Sequence, residues 1–294
     1  MLARPRESLV TSDHVAVRPC HLPSGTALLS IDVETDYGTG RTDALDQLAR
    51  LLDFLATHRL PLPAFVEGQL FERRPDLCAL LVDRGVDVQL HVYDHATTGD
   101  TPDSLRRGAD AYASCMGVRP EGDRAHMCRL TPALYDALVT QGFRWGSSVM
   151  RAHGLGRNGH ACFRDGDYFV MGTGLVEFPL GSWRYVPLPL NHPYTLLAGS
   201  LGGHVLRSVC GPAGRLVAYN MHMTDLLLSP ALSEARYGRL FEWLQRWMWL
   251  GQGGDTFHAF GLMCDYLRER GFAFMTTAQL YRQVTPAESS DSGS

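Results

Sequence analysis

The sequence contains no lysine: all 27 of its basic side chains are arginine. This excludes a Schiff-base lysine, a P-loop lysine and a Ser-Lys dyad as internal chemistry, and a GC-rich coding sequence accounts for the bias without weakening the exclusion. The seven cysteines (20, 78, 115, 128, 162, 210 and 264) are odd in number, scattered and never spaced as C-x-x-C. A disulfide framework and a zinc ribbon are thereby excluded, and the thiols read as reduced and mostly buried. The stretch from Met1 to Pro23 carries charges and two histidines where a signal peptide carries an apolar core, and no run is long enough to span a membrane. A cytoplasmic protein is expected. With a formal charge of −4 and no basic run, nucleic acid is not expected as a partner.

What the chain does have is enough apolar residue for a full core. At 294 residues and 45% hydrophobic it suits a single α/β barrel, one large α/β domain or two smaller ones. Apolar strands and amphipathic helices alternate. The run Ala27 to Ile31 is a strand, and Leu45, Leu48, Leu51, Leu52 and Leu55 mark one face of a helix over Ala44 to Leu60. Further strands are read at Ala64 to Val66, Val86 to Leu90, Arg119 to Arg124, Phe143 to Val149 and Leu216 to Tyr219. Helices are read at Pro75 to Arg84, Ser104 to Met116, from Thr131-Pro132 to Gly142, Ser233 to Leu250 and Phe257 to Arg270. Between Arg151 and Gly214, glycines, prolines and short apolar runs suggest loops and hairpins. Pro286 to Ser294 reads as a disordered tail. The expected division is an N-terminal arm over 1–26, an α/β body over 27–283 and a tail over 284–294.

Alternation of this kind implies a mostly parallel sheet, whose chemistry gathers at the C-terminal ends of the strands. Four candidates fall there: Asp32, Glu34, His91 and His222. His91 and His95 form an H-x-x-x-H pair. Twelve histidines in this length produce about 0.5 such pairs by chance, so the spacing gains weight from its place at a strand end. On a helical turn the two imidazoles share a face and reach one ion. Asp32 and Glu34, alternate residues of extended chain, point the same way; one can bind metal and the other act as a base. The plain alternative is a solvated acidic cluster with Asp36, Asp43 and Asp46.

Other signals carry less. Gly154 to Gly159 fits G-x-G-x-x-G, but no amphipathic helix follows to receive a pyrophosphate, and a loop is the better reading. Trp243, Trp247 and Leu250 recur at helical spacing and read as packing. Trp183 and Tyr185, in the irregular region, are the better candidates for stacking on a sugar.

The order of these motifs, from the strand ending in D-x-E through RGVDVQLHVYDH and DRAHMCRLTPALYDALVTQGFRWGSSV to LVAYNMH, resembles the NodB-like polysaccharide deacetylases, carbohydrate esterase family four. The likeness spans roughly Ala27 to Thr224. It implies a distorted (β/α) barrel, here a single domain with an irregular loop and hairpin insertion. It also implies a divalent metal, usually zinc, held by an acidic residue and two histidines. On this resemblance Asp32 is the general base, and Glu34, His91 and His95 are the metal ligands, with Asp36 a rival to Glu34. Arg124 orients Asp32, His222 is the acid, and a backbone N–H near Ala125 shares the oxyanion. His126, which stands where the family has proline and small residues, either touches substrate or packs. The family's fourth-motif aspartate is replaced by Gly146, and Asp225 is the available substitute. The implied activity is removal of an acetyl or formyl group from an amino sugar or sugar-containing small molecule. The alternatives are hydrolysis of a cyclic amide or ureide, or an inactive sugar-binding relative.

Overall fold

The computed structural model describes residues 10–285 except 12, 96–99, 151–162, 164, 186–188, 198–203, 205–206, 208–211, 228, 235–241, 244–245 and 247–255. The glycine-rich 154–159 segment, Trp247 and the tail from Pro286 therefore lie outside the described residues, as does most of the helix expected over Ser233 to Leu250.

One curled, mixed sheet organises the chain. Its parallel strands are β2 (Thr26–Val33), β3 (Pro63–Val66), β4 (Asp87–Leu90), β5 (Gly122–Asp123), β6 (Trp145–Gly146) and β8 (Val176–Glu177), which lie side by side in the order of the sequence. An antiparallel flank is made by β7 (Tyr168–Met171) on β8 and by β1 (Val17–Cys20) on β7. The expected N-terminal arm thus supplies a strand. On its far side β2 pairs with β9 (Leu216–His222) along its whole length and with β10 (Ala273–Phe274) at its start. The curl brings Gly181 N–H within 2.8 Å of Ala218 O on β9. This is the distorted barrel that the motif order implied.

Period-two alternation separates two buried layers. Ala27, Leu29, Ile31 and Val33 of β2 join Val217, Tyr219 and Met221 of β9 in the large core beneath the helices. Leu28, Phe65, Trp145, Phe178 and Ala218 form a second cluster within the curl. Each such side chain, when fully buried, contributes about 1.5–3 kcal/mol. Helices cover the outer layer: Leu48–His58, closed by Arg59 in the left-handed region, and Pro102–Met116, opened by a Thr101/Ser104 capping box and closed by Gly117, are the longest on the N-terminal side.

Several expected strands shrink to two residues. Phe143 to Val149 is one: its ladder stops at Gly146 because the next free N–H groups, of Ser148 and Val149, donate to the Glu177 carboxylate instead.

Candidate functional site

The inner face of β2 carries Ser30 and Asp32, and β9 beside it carries Asn220 and His222; Asp32 and His222 are partners in register. The same alternation that sends Val33 into the core turns these four side chains toward one another. Arg124, 1% exposed and lying 3.9 Å over the Phe65 ring, completes the group. Its Nη1 donates to Asp32 Oδ1 (2.7 Å), Ser30 Oγ (2.9 Å) and Asn220 Oδ1 (2.7 Å), while Ser147 receives its other nitrogens. Asn220 Nδ2 in turn donates to Asp32 Oδ2 (2.8 Å). Burial pushes the Asp32 carboxyl up, but Arg124, His91 and His222 pull it further down, so it stays below the ordinary carboxylate range.

His91 ends up at the tip of β4. Its Nδ1 lies 2.6 Å from the Arg124 carbonyl, which can only accept, so a hydrogen sits on Nδ1, and Nε2 faces Glu34 Oε2 at 3.3 Å. His95 Nε2 lies 3.9 Å from the same oxygen. No helical turn joins the two imidazoles, contrary to the expectation from their spacing. The connection is a loop in which Val92, a β-branched residue, has φ of 49°. What holds it is close backbone packing: Val92 O accepts from Gly68 N–H (3.0 Å), and a Cβ on Gly68 or Gly108 would overlap this carbonyl. Glu67, fully buried, ties the Glu34 and His95 segments together by accepting from Thr35 N on one oxygen (3.0 Å) and His95 N on the other (2.8 Å).

Glu34 is the acidic residue that the geometry brings to the imidazoles. Burial raises its carboxyl, yet His222, His91 and His95 hold it well below the usual range. Asp36 is turned away, accepting from Ala44 N (2.9 Å) and from the Ser229 hydroxyl.

On the opposite side, His222 Nε2 stands 3.5 Å from Asp32 Oδ2 and 3.7 Å from Glu34 Oε1, with its ring 30% exposed. Its Nδ1 donates to Asp225 Oδ2 (2.8 Å), and its backbone N–H donates to the same oxygen (2.7 Å). Burial lowers the imidazole, but Asp225, with Glu34 and Asp32 behind it, carries it up to about 10. Asp225 is therefore the carboxylate that backs the His222 ring. At Gly146 an aspartate has no room, since even a Cβ there would overlap Glu177 Oε2.

The other expectations are placed as follows. His126, 6% exposed, lies against His91 with ring centroids 4.1 Å apart. Ala125 N–H donates to Ser148 Oγ (2.8 Å) and is not available to an oxyanion. Trp183 is buried in the large core and Tyr185 is 71% exposed. Sequence reasoning missed Asn220, Glu67 and Ser147. Asn220 was open to discovery, since it sits two residues before His222 on the same face of β9.

The donor set fits a divalent ion: a carboxylate and imidazoles with fixed tautomers converge there, and the ligand atoms of Glu34, His91 and His126 lie within 4.8 Å of one another.

Residues 35–145 match the profile of the polysaccharide deacetylase family, a span that includes His91, His95 and Arg124 but neither the Asp32/Glu34 pair nor His222. No curated protein matches the sequence. Among solved structures, one from Mycobacterium smegmatis, assigned as a polysaccharide deacetylase, aligns over 95% of each chain at 19% identity and a TM-score of 0.54. The PuuE allantoinase aligns over 96% of this chain and 97% of its own at 14% identity and a TM-score of 0.52. At these identities the likeness concerns the fold. The family match covers residues 35–145, somewhat over a third of the chain, and agrees with the resemblance read from the motifs.

Proposed function

We propose that this protein is a metal-dependent hydrolase that removes an acetyl or formyl group from an amino sugar or a sugar-containing small molecule. The observation that carries the reading is the opposition of two differently charged groups across one opening. Asp32 is an ionised carboxylate clamped by Arg124 and Asn220, and His222 is an imidazolium backed by Asp225.

In this reading Glu34, His91 and His95 hold the ion, most simply Zn2+, whose contribution when bound is to acidify water and polarise the acyl carbonyl. Asp32 takes the proton of the attacking water. Its Oδ1 is committed to Arg124 and its Oδ2 keeps one lone pair free beyond the Asn220 bond, which aims it at the opening. His222 gives a proton to the departing nitrogen, without which an amide nitrogen leaves poorly. Asp225 holds that proton on the ring until it is needed. Of Trp183, Tyr185 and His126, only Tyr185 is exposed and is retained as a candidate substrate contact; Trp183 and His126 are buried. All five described cysteines are free, which suits a reducing, cytoplasmic setting.

The test is direct. Purified protein should carry about one divalent ion per chain and release acetate or formate with the free amine. A His91→Ala, His95→Ala double variant should lose both. Retention of ion and turnover by that variant would overturn the reading. The whole-length fold likeness to an allantoinase supports a second reading, hydrolysis of a ureide or cyclic amide. Allantoin assayed beside N-acylated amino sugars separates the two.

A further inference from the structure

His126 follows Arg124 and Ala125 in a short 3-10 turn, where Met127 and Cys128 both take positive φ (54° and 52°) and turn the chain sharply back. Its ring is fixed from behind by a single carboxylate. Nδ1 lies 2.6 Å from Asp100 Oδ1, and the backbone N–H of the same residue donates to Asp100 Oδ2 at 2.7 Å. A carboxylate accepts, so Nδ1 carries a hydrogen and Nε2 is the nitrogen that can ligate once it gives up any proton; histidines that bind metals are held in this way. His91 is held alike, by the Arg124 carbonyl.

The forward nitrogen has nothing to bond. His126 Nε2 is buried and makes no hydrogen bond; Glu67 Oε1 stands 3.6 Å away. A buried polar atom in that state costs free energy, and native interiors rarely leave one so. The nitrogen points into the group formed by Glu34 and His91, with all three ligand atoms within 4.8 Å of one another, and the His126 ring lies 4.6 Å from that of His95. Two donors on one ion, each about 2 Å from it, stand at most about 4 Å apart. Closure by less than about 1 Å brings Glu34, His91 and His126 within that limit, and His95, 3.9 Å from Glu34 Oε2 but outside that group, has further to move.

We infer that His126 is a fourth protein ligand of the ion, making the centre three imidazoles and one carboxylate. The inference rests on the metal reading above and departs from the two-histidine pattern that the family resemblance implied. Nothing in that pattern requires an imidazole at this position. A four-donor centre keeps room for water and substrate only if the ion takes five or six ligands, so the added imidazole selects against a closed tetrahedral site.

The full chain loaded with Co2+ or Zn2+ provides the test, by counting imidazoles with X-ray absorption and measuring affinity by chelator competition. Wild type should show three imidazoles and His126→Gln two, with the dissociation constant raised by at least about 100-fold. Asp100→Asn, which loosens the ring without removing it, should weaken binding by about 10- to 100-fold. Two imidazoles in wild type, with affinity unchanged in His126→Gln, would overturn the inference and leave the metal reading standing; His126 would then be an ion-pair partner of Glu67 only. A wild type that binds no ion would overturn both. The wild-type count needs no variant, so poor folding of His126→Gln leaves the decision intact.

Discussion

Two walls of the same barrel interior carry buried carboxylates and treat them in opposite ways. On the β2/β9 wall Asp32, 4% exposed, is held ionised by Arg124 and flanked by two imidazoles. Across the interior Asp123 on β5 and Glu177 on β8 are fully buried, and each has one oxygen with no hydrogen-bond partner. Burial drives Asp123 well above the usual range and Glu177 up to about 7, where backbone N–H groups and distant Arg124 recover only part of the shift. Burial acts on all three. What distinguishes the first wall is countercharge, which is where the only fully buried arginine of the described residues is placed. An ionised carboxylate is thus a built feature of one wall rather than a consequence of lying in a pocket.

The largest effect should come from Asp32→Asn, which keeps the shape and one acceptor but sets an amide NH2 against a donor and cannot take a proton: kcat should fall by about 10³-fold with ion content unchanged. Glu177→Gln assayed beside it should leave kcat within a few-fold; an equal loss in both would erase the contrast between the walls.

Next in size is a stability effect of Glu177→Gln. Folded Glu177 keeps its proton up to about pH 7, whereas the unfolded chain releases it near 4.5, so wild-type stability falls as pH rises across that interval. The variant lacks this dependence. Between pH 5 and 8 its stability should gain on wild type by roughly 3 kcal/mol, read from denaturant midpoints at each pH. Parallel curves would mean that Glu177 is ionised like Asp32.

Asp225→Asn should lower kcat by about 10²-fold and move the basic limb of the pH–rate profile to lower pH. The sign follows from the role: the reaction needs protonated His222, and removing Asp225 lets that imidazole fall from about 10 toward its ordinary value, so activity is lost earlier as pH rises. A basic limb that stays in place would remove His222 from the acid role. Smallest is Gly146→Ala, whose methyl meets the Glu177 carboxylate and should cost about 1–3 kcal/mol with little change in kcat of the folded protein. Relief of that cost in a Gly146→Ala, Glu177→Ala double variant would tie it to this contact.

Much of the β2 wall was legible before any coordinates. An apolar run ending in D-x-E fixes both strand and facing, and the same period-two logic reaches Asn220 once His222 is singled out. The opposite wall was not legible. That Gly146 is small because Glu177 fills its space depends on a pairing between residues 31 apart, and no local pattern announces it. His91 and His95 show the reverse failure: a helical-spacing argument singled them out, while the structure joins them by a loop held by Val92, Gly68 and Glu67. His126 was ambiguous because its partner, Asp100, lies 26 positions earlier.

The most direct test of the account is release of acid from a panel of N-acetylated amino sugars by the ion-loaded protein, compared with the same protein after chelation. The account predicts acetate and free amine in equal amounts from the loaded protein, none after chelation, and recovery on reloading. Hydrolysis that persists undiminished in the chelated protein would contradict it.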